Sequence, residues 1–308
     1  MDYRRANRAF LYMILASISF VAIYTAWYTR TGRDISVVLN NFLSEAIVLL
    51  PALAVVLFSG DSLKSVIPLR RIKVSSVALT VVYAILLFPI ATFASSLSML
   101  FVENRIEGMA DQIVSMPMWQ ILLSVGVFGP FVEEIIFRGI MLNSYQRTGR
   151  IVASIVLSSL LFGIVHMNFS QFTYGFILGI MLALLFEATG SVLTSFIAHG
   201  VFNSIEVIMM FTTRDYLGDE LETITRLEAD ASTLSMIGIY FVVGVICTAI
   251  ALCIIYKMAD LEGRQAFIDS ILKRKVKSRI VSLPLVIAIV IAIAFMIGIE
   301  ALTRLSGF

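Results

Sequence analysis

Charged residues are scarce in this sequence. Only 14% of its 308 residues are Asp, Glu, Lys or Arg, whereas 59% are hydrophobic and the mean hydropathy is +0.95. Soluble domains carry about 25% charged residues, so the composition excludes a single water-soluble core. A chain this apolar needs lipid as its solvent, and we expect an integral membrane protein.

Surplus basic residues and cysteines are lacking as well. The 23 Lys and Arg exceed the 21 Asp and Glu by only two, which leaves no basic stripe for phosphates and excludes a nucleic-acid partner. The two cysteines, Cys247 and Cys253, lie in one apolar run, so neither a disulfide framework nor a thiolate metal site is available. The sequence has no internal repeat and no low-complexity tract. The fold must therefore depend on packing.

Long apolar runs dominate what is present. A membrane-spanning helix needs about 20 mostly apolar residues, and nine segments approach or exceed that length. Their approximate bounds are 10–29, 39–58, 74–102, 118–142, 151–167, 171–187, 192–212, 234–256 and 282–303. The first has no small-x-small cleavage site after it and is too long for a secretory signal, so we predict a retained helix.

The fold class that follows is all-α, a polytopic transmembrane bundle of about eight to nine spans. We divide the chain into N-terminal spans (1–117), a central four-helix core (118–212) and C-terminal spans with a basic loop (213–308). The span 74–102 is long enough to leave the count open by one. The lipid bilayer is the expected partner of every span.

Basic residues are unequally shared between alternate loops. One set of loops (1–9, 59–73, 143–150, 188–191 and 257–281) holds 16 Lys and Arg, and the other set holds 6. Cytoplasmic loops retain basic residues, so we predict a cytoplasmic N-terminus, with the cell membrane as the location. The basic run Lys273 to Arg279 is read first as a topology determinant and second as a site for anionic lipid. The acidic segment 213–233 is expected to be an external loop.

Ionisable side chains inside the spans are concentrated in three places. Glu133, Glu134 and Arg138 lie within six residues of the fourth span, and the only two histidines, His166 and His199, also lie inside spans. Each such group costs about 2.5 kcal/mol or more to insert in a bilayer. A cost of this size usually reflects function.

Helix geometry separates the two glutamates. Each residue of an α-helix turns by about 100°, so Arg138 lies one turn beyond Glu134 and the two can form an ion pair. Glu133 is left without that partner, and an unpaired carboxylate in a low dielectric is suited to proton transfer. The alternative is one buried salt-bridge network without chemical consequence, which leaves the histidines unexplained.

The turns allow these groups to meet. Counted from a turn near residue 148 at about 1.5 Å per residue, Glu133 and His166 differ in depth by only ~5 Å. His199 and Asn203 share one helix face and could donate together to a developing oxyanion. The same count leaves His199 roughly 10 Å from the level of His166, a gap that tilted or unequal helices would have to close.

Three further carboxylates lie in spans. Glu206 continues the face of His199, where it could anchor that face or pair with Arg214, and we favour the pairing. Glu45 and Glu300 each stand alone in another span, and we assign them no role.

At the three motifs the sequence resembles the CPBP family of intramembrane proteases, which contains the type II CAAX prenyl endopeptidases and the lysostaphin-resistance protein A-like bacterial proteins. The family pattern is Glu-Glu-x-x-x-Arg, then Phe-x-x-x-His, then His-x-x-x-Asn. The resemblance covers about 118–212. Every position is matched, in order, on separate apolar segments, by Glu133, Glu134, Arg138, Phe162, His166, His199 and Asn203.

The resemblance implies that the central core is catalytic and that Glu133 activates a water with help from His166. It also implies that His199 and Asn203 line the oxyanion site, with Glu134, Arg138 and Phe162 in support. Two histidines and a carboxylate could hold zinc or iron. The sequence has no His-Glu-x-x-His motif and water activation needs no ion, so we expect no metal and no cofactor.

We therefore expect a glutamic-type intramembrane endopeptidase that cleaves a membrane-embedded or membrane-associated protein or peptide. One alternative is a non-catalytic scaffold or immunity-type regulator on the same fold. Another is a proton- or ion-coupled transporter, which predicts an inverted repeat and a continuous polar path. The sequence shows neither, and its polar groups cluster on adjacent spans.

Overall fold

The computed structural model describes residues 1–102, 109–225, 231–271 and 278–306, without the side chains of 214–225, 231–233 and 304–306. Within these residues every regular element is a helix. We number them α1 (Tyr3–Thr31), α2 (Val37–Phe58), α3 (Leu63–Val66), α4 (Val74–Leu86), α5 (Phe88–Met99), α6 (Ala110–Val114), α7 (Met118–Gln146), α8 (Ile151–Val165), α9 (Phe169–Thr189), α10 (Val192–Thr225), α11 (Ala231–Leu261), α12 (Gln265–Ile271) and α13 (Leu283–Ser306).

The polytopic all-α prediction is confirmed. Eight spans in the described residues are long and apolar enough to cross a membrane. The predicted span 74–102 is one of them, formed by α4 and α5 with a break at Leu87, because Pro89 in the first turn of α5 cannot donate to the preceding turn. The remaining predicted span is α8, whose 15 residues reach about 22 Å.

Helix ends follow local sequence signals. Ser36 and Asn168 cap α2 and α9 by accepting the backbone N–H groups of Leu39 and Gln171. Met167, between α8 and α9, has φ +56°. This left-handed residue turns the chain directly after His166 and places α8 and α9 side by side.

Central and peripheral helices differ in burial. In the most apolar stretch of α7 and of α9, 50% of the residues are buried, against 17% in α11 and 22% in α13. Peripheral side chains such as Leu234 are largely exposed (65%), as lipid-facing residues are. The central four helices are therefore α7 to α10. They begin at Met118 as predicted, and α10 continues past the predicted boundary at 212 to Thr225.

Helices α7 and α10 cross at two glycines. A Cβ on Gly200 would lie only 2.9 Å from the carbonyl oxygen of Gly126, so the backbones approach to a distance that only glycine permits. His199 is next to this crossing, and the close approach holds it against α7.

Several predicted loops meet at one end of the bundle. Arg147 lies 3.8 Å from Asp61, and Ser278 donates to the carbonyl of Thr148 at 2.8 Å. The backbone N–H of Lys73 donates to Glu262 at 2.9 Å. The segments 59–73 and 143–150 and the described parts of 257–281 therefore share one end, as the predicted alternation of loops requires.

Two predicted features fall outside the description. The segment 272–277, which carries most of the basic run, is not among the described residues, and neither are the side chains of 214–233, including Arg214. The lipid-binding interpretation of the basic run stays a prediction. The prediction of a loop from residue 213 is wrong in part, because α10 continues as a helix to Thr225; the solvation of its acidic side chains stays a prediction.

The turn between α9 and α10 is sunk below this end of the protein. Ser191 is fully buried and donates to the carbonyl of Arg70 at 2.6 Å, and Val192 donates to the carbonyl of Pro68 at 3.0 Å. Arg264 covers the turn and donates to the carbonyl of Glu187 at 2.8 Å. The residue count assumed a turn at the surface. In the structure the predicted 10 Å gap is closed, because both imidazoles lie within 3.7 Å of Glu133.

Candidate active site

Helix α7 alternates between α-helical and π-helical turns. The α-helical segment Gly129–Glu134 lies between the π-helical segments Leu122–Phe128 and Ile135–Leu142. Such wide turns are frequent at functional sites. They also loosen the usual backbone pairing, and the carbonyls of Ser124 and Val125 accept hydrogen bonds from Asn41 and Asn203 at 3.0 and 3.1 Å.

Glu134 and Arg138 form the predicted ion pair. Their side chains are 2.7 Å apart and almost fully buried. Arg138 also donates to the carbonyl of Gly179 at 3.1 Å and lies over the ring of Phe162 at 4.6 Å. These contacts join α7 to α8 and α9.

Glu133 faces two imidazoles instead. Its Oε1 lies 3.7 Å from Nε2 of His166, and its Oε2 lies 3.5 Å from Nε2 of His199. These separations are too long for direct hydrogen bonds. The Glu133 side chain retains 13% exposure, against none for Glu134. The structure therefore brings together groups from three helices that are 33 residues apart or more.

Each histidine is oriented through its other nitrogen. Nδ1 of His166 lies 2.9 Å from the carbonyl oxygen of Phe162, and Nδ1 of His199 lies 3.1 Å from Oε1 of Glu134. Both oxygens are acceptors, so we assign the proton of each ring to Nδ1. The Nε2 atoms of both rings are thereby directed at Glu133.

Phe162 packs at the centre of the cluster. Its ring makes edge contacts with His166 and His199, at centroid distances of 5.3 and 5.6 Å, and with Phe137 at 5.3 Å. A buried aromatic ring in this position restricts the motion of both imidazoles. This contact accounts for a phenylalanine four residues before His166.

Asn203 lies one turn beyond His199. One N–H of its amide is used by the carbonyl of Val125, which leaves the second N–H free to serve a ligand. The predicted use of Asn203 and His199 for an oxyanion stays a prediction.

A cavity of about 370 Å³ adjoins the cluster. Glu133, His166, His199, Asn203 and Phe162 all line it, together with residues of α1, α2 and α9. Glu134 and Arg138 do not line the cavity, because they lie behind His199. The structure thus separates the predicted working residues from most of the predicted supporting residues.

Sequence reasoning missed the contribution of α2. Asn41 and Glu45 line the cavity, and Oε1 of Glu45 would lie 3.6 Å from a Cβ on Gly129. The other oxygen, Oε2, is buried without a hydrogen-bond partner among the described residues. The available signal was the spacing of Asn41 and Glu45, four residues apart in an apolar span, which repeats the spacing of His199 and Asn203.

The other two carboxylates lie apart from Glu133. Glu206 lines the same cavity farther along α10. Its predicted pairing with Arg214 involves a side chain outside the described residues. Glu300 lies beside a separate small cavity next to Met167. Within the described part of the chain, no group of three or more His, Cys, Asp or Glu side chains is arranged to hold a metal ion.

Comparison with known proteins addresses the resemblance directly. Residues 115–205 match the family model described as Type II CAAX prenyl endopeptidase Rce1-like. The resemblance to the CPBP family is confirmed. The matched segment contains all seven motif residues, and it leaves α1, α2, α4, α5, α11 and α13 outside.

One curated relative extends the CPBP comparison. The protein named "Putative membrane peptidase YdiL", from Bacillus subtilis (strain 168), is 31% identical over 160 residues. The aligned part covers 48% of this chain and 64% of the relative. The chain thus spans less than two thirds of the relative that it matches. No solved structure matches the chain at a significant level.

Proposed function

We propose that this CPBP-like membrane protein is a glutamic-type intramembrane endopeptidase. The observation that carries the proposal is the position of Glu133. Its carboxylate is open to the cavity and lies between two imidazoles, at 3.7 and 3.5 Å. The adjacent Glu134 is buried and paired with Arg138. In several enzymes, two neighbouring carboxylates in different environments have different roles. Here the open Glu133 would take part in the reaction, and the paired Glu134 would hold the site in place.

The attacking water would bind between Glu133 and His166. A gap of 3.7 Å is too long for a hydrogen bond but suits a bridging position. Both groups present acceptors, since the His166 proton is assigned to Nδ1. A water that donates one O–H to each keeps a lone pair free, and this lone pair would attack the carbonyl carbon of the substrate. Glu133 then takes the proton that the water loses.

The tetrahedral intermediate would be stabilised from α10. The second amide N–H of Asn203 is one donor. His199 in its protonated form is the other, because it donates through Nδ1 to Glu134 and through Nε2 to the oxyanion. As the C–N bond breaks, Glu133 returns its proton to the leaving amine. Donors fixed in a low-dielectric site stabilise such charge strongly.

The substrate class follows from the surroundings of the site. The cavity lies within a bundle of membrane-spanning helices, so a membrane-embedded or membrane-associated protein or peptide is the proposed substrate. The name printed for the relative, "Putative membrane peptidase YdiL", supports this class. We also propose that the N-terminus is cytoplasmic, that the protein resides in the cell membrane, and that no metal is needed.

The experiment that tests the function uses purified protein in lipid nanodiscs. Wild type and Glu133→Gln are incubated with a library of lipidated peptides, and mass spectrometry identifies the products, with and without a chelator. We expect cleavage by wild type, a loss of at least about a thousandfold in Glu133→Gln, and no effect of the chelator.

Glu300→Gln is the matched control, because it removes the same charge from a span without touching the main cavity. It should retain wild-type cleavage. Equal cleavage by Glu133→Gln and wild type would overturn the glutamic mechanism. No cleavage by wild type would favour the non-catalytic scaffold, and inactivation by the chelator would reverse the metal proposal.

A further inference from the structure

A second cavity adjoins the first. It has a volume of about 230 Å³ and lies between α5, the beginning of α9 and α10. Gln171, Tyr174 and Glu206 line both cavities. These three side chains therefore form the partition between them, and a ligand in the first cavity has a neighbouring space behind that partition.

The wall that α5 supplies contains three hydroxyl groups beside the apolar Ala91 and Met99, although α5 is part of a membrane span. Thr92, Ser95 and Ser96 line the second cavity and share one helix face by their spacing. Leu97, on another face, is 39% exposed to the surroundings of the bundle. Ser170 of α9 adds a fourth hydroxyl. Polar groups in a span are directed inward when they serve a polar ligand or path.

Glu206 is the charged group of the second cavity. It is exposed, and it has no ion-pair partner in the described part of the chain. The lining residues of the two cavities include three glutamates, Glu45, Glu133 and Glu206, and two histidines, but neither lysine nor arginine. A carboxylate in a membrane span that has no cation beside it among the described side chains is suited to receive one from a ligand.

We propose that the second cavity is a subsite for a lysine or arginine side chain of the substrate, with Glu206 as its counter-ion. This inference rests on the peptidase function proposed above. A cavity of about 230 Å³ has room for several waters or for one long side chain. The hydroxyls of α5 and Ser170 would accept the remaining N–H groups of the cation. The position of the subsite next to the Glu133 cavity places the basic residue close to the scissile bond.

A free monovalent cation could also neutralise Glu206, because it has the same charge as a lysine or arginine side chain. It is, however, much smaller than such a side chain. A space several times larger than one ion favours a side chain. The experiment must nevertheless separate the two sources.

The test measures cleavage of a positional-scanning library of lipidated peptides in nanodiscs, in which one position at a time is Lys, Arg, Gln or Glu. At one position near the cleaved bond, wild type should prefer Lys or Arg over Gln by at least about tenfold in kcat/KM, mainly through KM. Glu206→Gln should abolish this preference, and Glu206→Lys should reverse it in favour of Glu. Asp260→Asn, which makes the same change in charge as Glu206→Gln on an exposed residue far from both cavities, should keep it.

A second measurement does not depend on turnover. Binding of the same peptides to Glu133→Gln is followed by fluorescence anisotropy, alone and combined with Glu206→Gln, in sodium and in a bulky organic cation. Stronger binding of Lys peptides than of Gln peptides, lost with Glu206→Gln, would support the subsite. If wild type at the same time cleaves no peptide, only the proposed peptidase function is overturned. Equal binding and cleavage of Lys and Gln peptides would overturn the subsite alone. If peptide binding requires sodium and does not depend on the charge of the peptide, Glu206 binds an inorganic cation, and the proposal is overturned.

Discussion

Two clusters, each built around a glutamate, lie in different parts of the bundle. One end of the bundle holds Lys73, Thr148 and Ser278, and we call it the basic end. There, Oε1 of Glu262 accepts from Ser76 Oγ at 2.6 Å and from the backbone N–H of Lys73 at 2.9 Å. In the centre, Glu133 has two histidines at 3.5 and 3.7 Å and a cavity beside it. One carboxylate is occupied by direct hydrogen bonds, and the other is not.

Residue type therefore does not distinguish a carboxylate with a structural role from one that is free to take part in a reaction. Glu262 ties α4 to the end of α11, and Glu134 ties α7 to α8 and α9 through Arg138. Each has partners at hydrogen-bond distance. Glu133 lies near His166 and His199 without a direct hydrogen bond to either. The adjoining cavity gives it the space that a substrate and a water would need.

The largest effect is expected from Arg138→Met. This change leaves Glu134 charged and buried without its cation, which costs about 3–5 kcal/mol. Thermal unfolding in detergent should show a large fall in Tm. Cleavage should fall with it, because Glu134, the hydrogen-bond partner of His199, is no longer held by Arg138.

The control for this prediction is the double variant Glu134→Gln with Arg138→Met. It removes both charges, so most of the lost stability should return. Arg138→Met with the Tm of wild type would contradict the interpretation of this pair as the support of the site.

The next largest effect is expected from Gly200→Ala. The added Cβ would lie 2.9 Å from the carbonyl of Gly126, and a backbone atom cannot give way cheaply. We expect a loss of about 3 kcal/mol and displacement of His199 from Glu133. Gly298→Ala, where nothing lies within 4 Å, is the matched control and should be neutral or stabilising. Equal Tm values for the two variants would show that the helices do not cross as closely as described.

Much of the central cluster could be predicted from the sequence, because its interactions are local or follow motifs. The Glu134–Arg138 pair follows from a spacing of four residues on one helix. The approach of Glu133 and His166 follows from a short turn between neighbouring helices. Both depend on few assumptions about the tertiary structure.

What could not be predicted depends on packing between distant segments. The sunk turn at Ser191 is created by Arg70 and Arg264, which are far away in sequence. The approach of Glu45 to Gly129 joins α2 to α7 outside the family motifs. The π-helical turns of α7 have no periodic signal of their own. A count of residues along single helices contains none of this information.

A smaller effect is expected at the basic end from Ser76→Ala. It removes the hydroxyl that donates to Glu262 at 2.6 Å, and a hydrogen bond to a charged group contributes about 1.5 kcal/mol. Ser144→Ala is the matched control, because its buried hydroxyl has no hydrogen-bond partner among the described residues. Denaturant unfolding of the two variants should differ, and cleavage should be retained in both. A larger loss in Ser144→Ala would contradict the role of Glu262 as a saturated structural carboxylate.

The smallest effect is expected from Asp61, in the loop between α2 and α4. Donation from Ser59, at 2.8 Å, and from the ammonium group of Met1, at 3.0 Å, lowers the pKa of Asp61 below its ordinary value of 3.8, and the charge of Arg147 adds to this effect. A lowered pKa in the folded state contributes stability that is present above the unfolded pKa and lost as pH falls through the folded value. Asp61→Asn should therefore lower the Tm slightly at pH 7, by less than about 1 kcal/mol in free energy, and the difference from wild type should shrink as the pH falls below about 4. If the Tm difference between Asp61→Asn and wild type grew in acid, the charged form of Asp61 would not be the stabilised form. Carboxylates at the basic end would then not all be held by direct partners, as we describe them in contrast to Glu133.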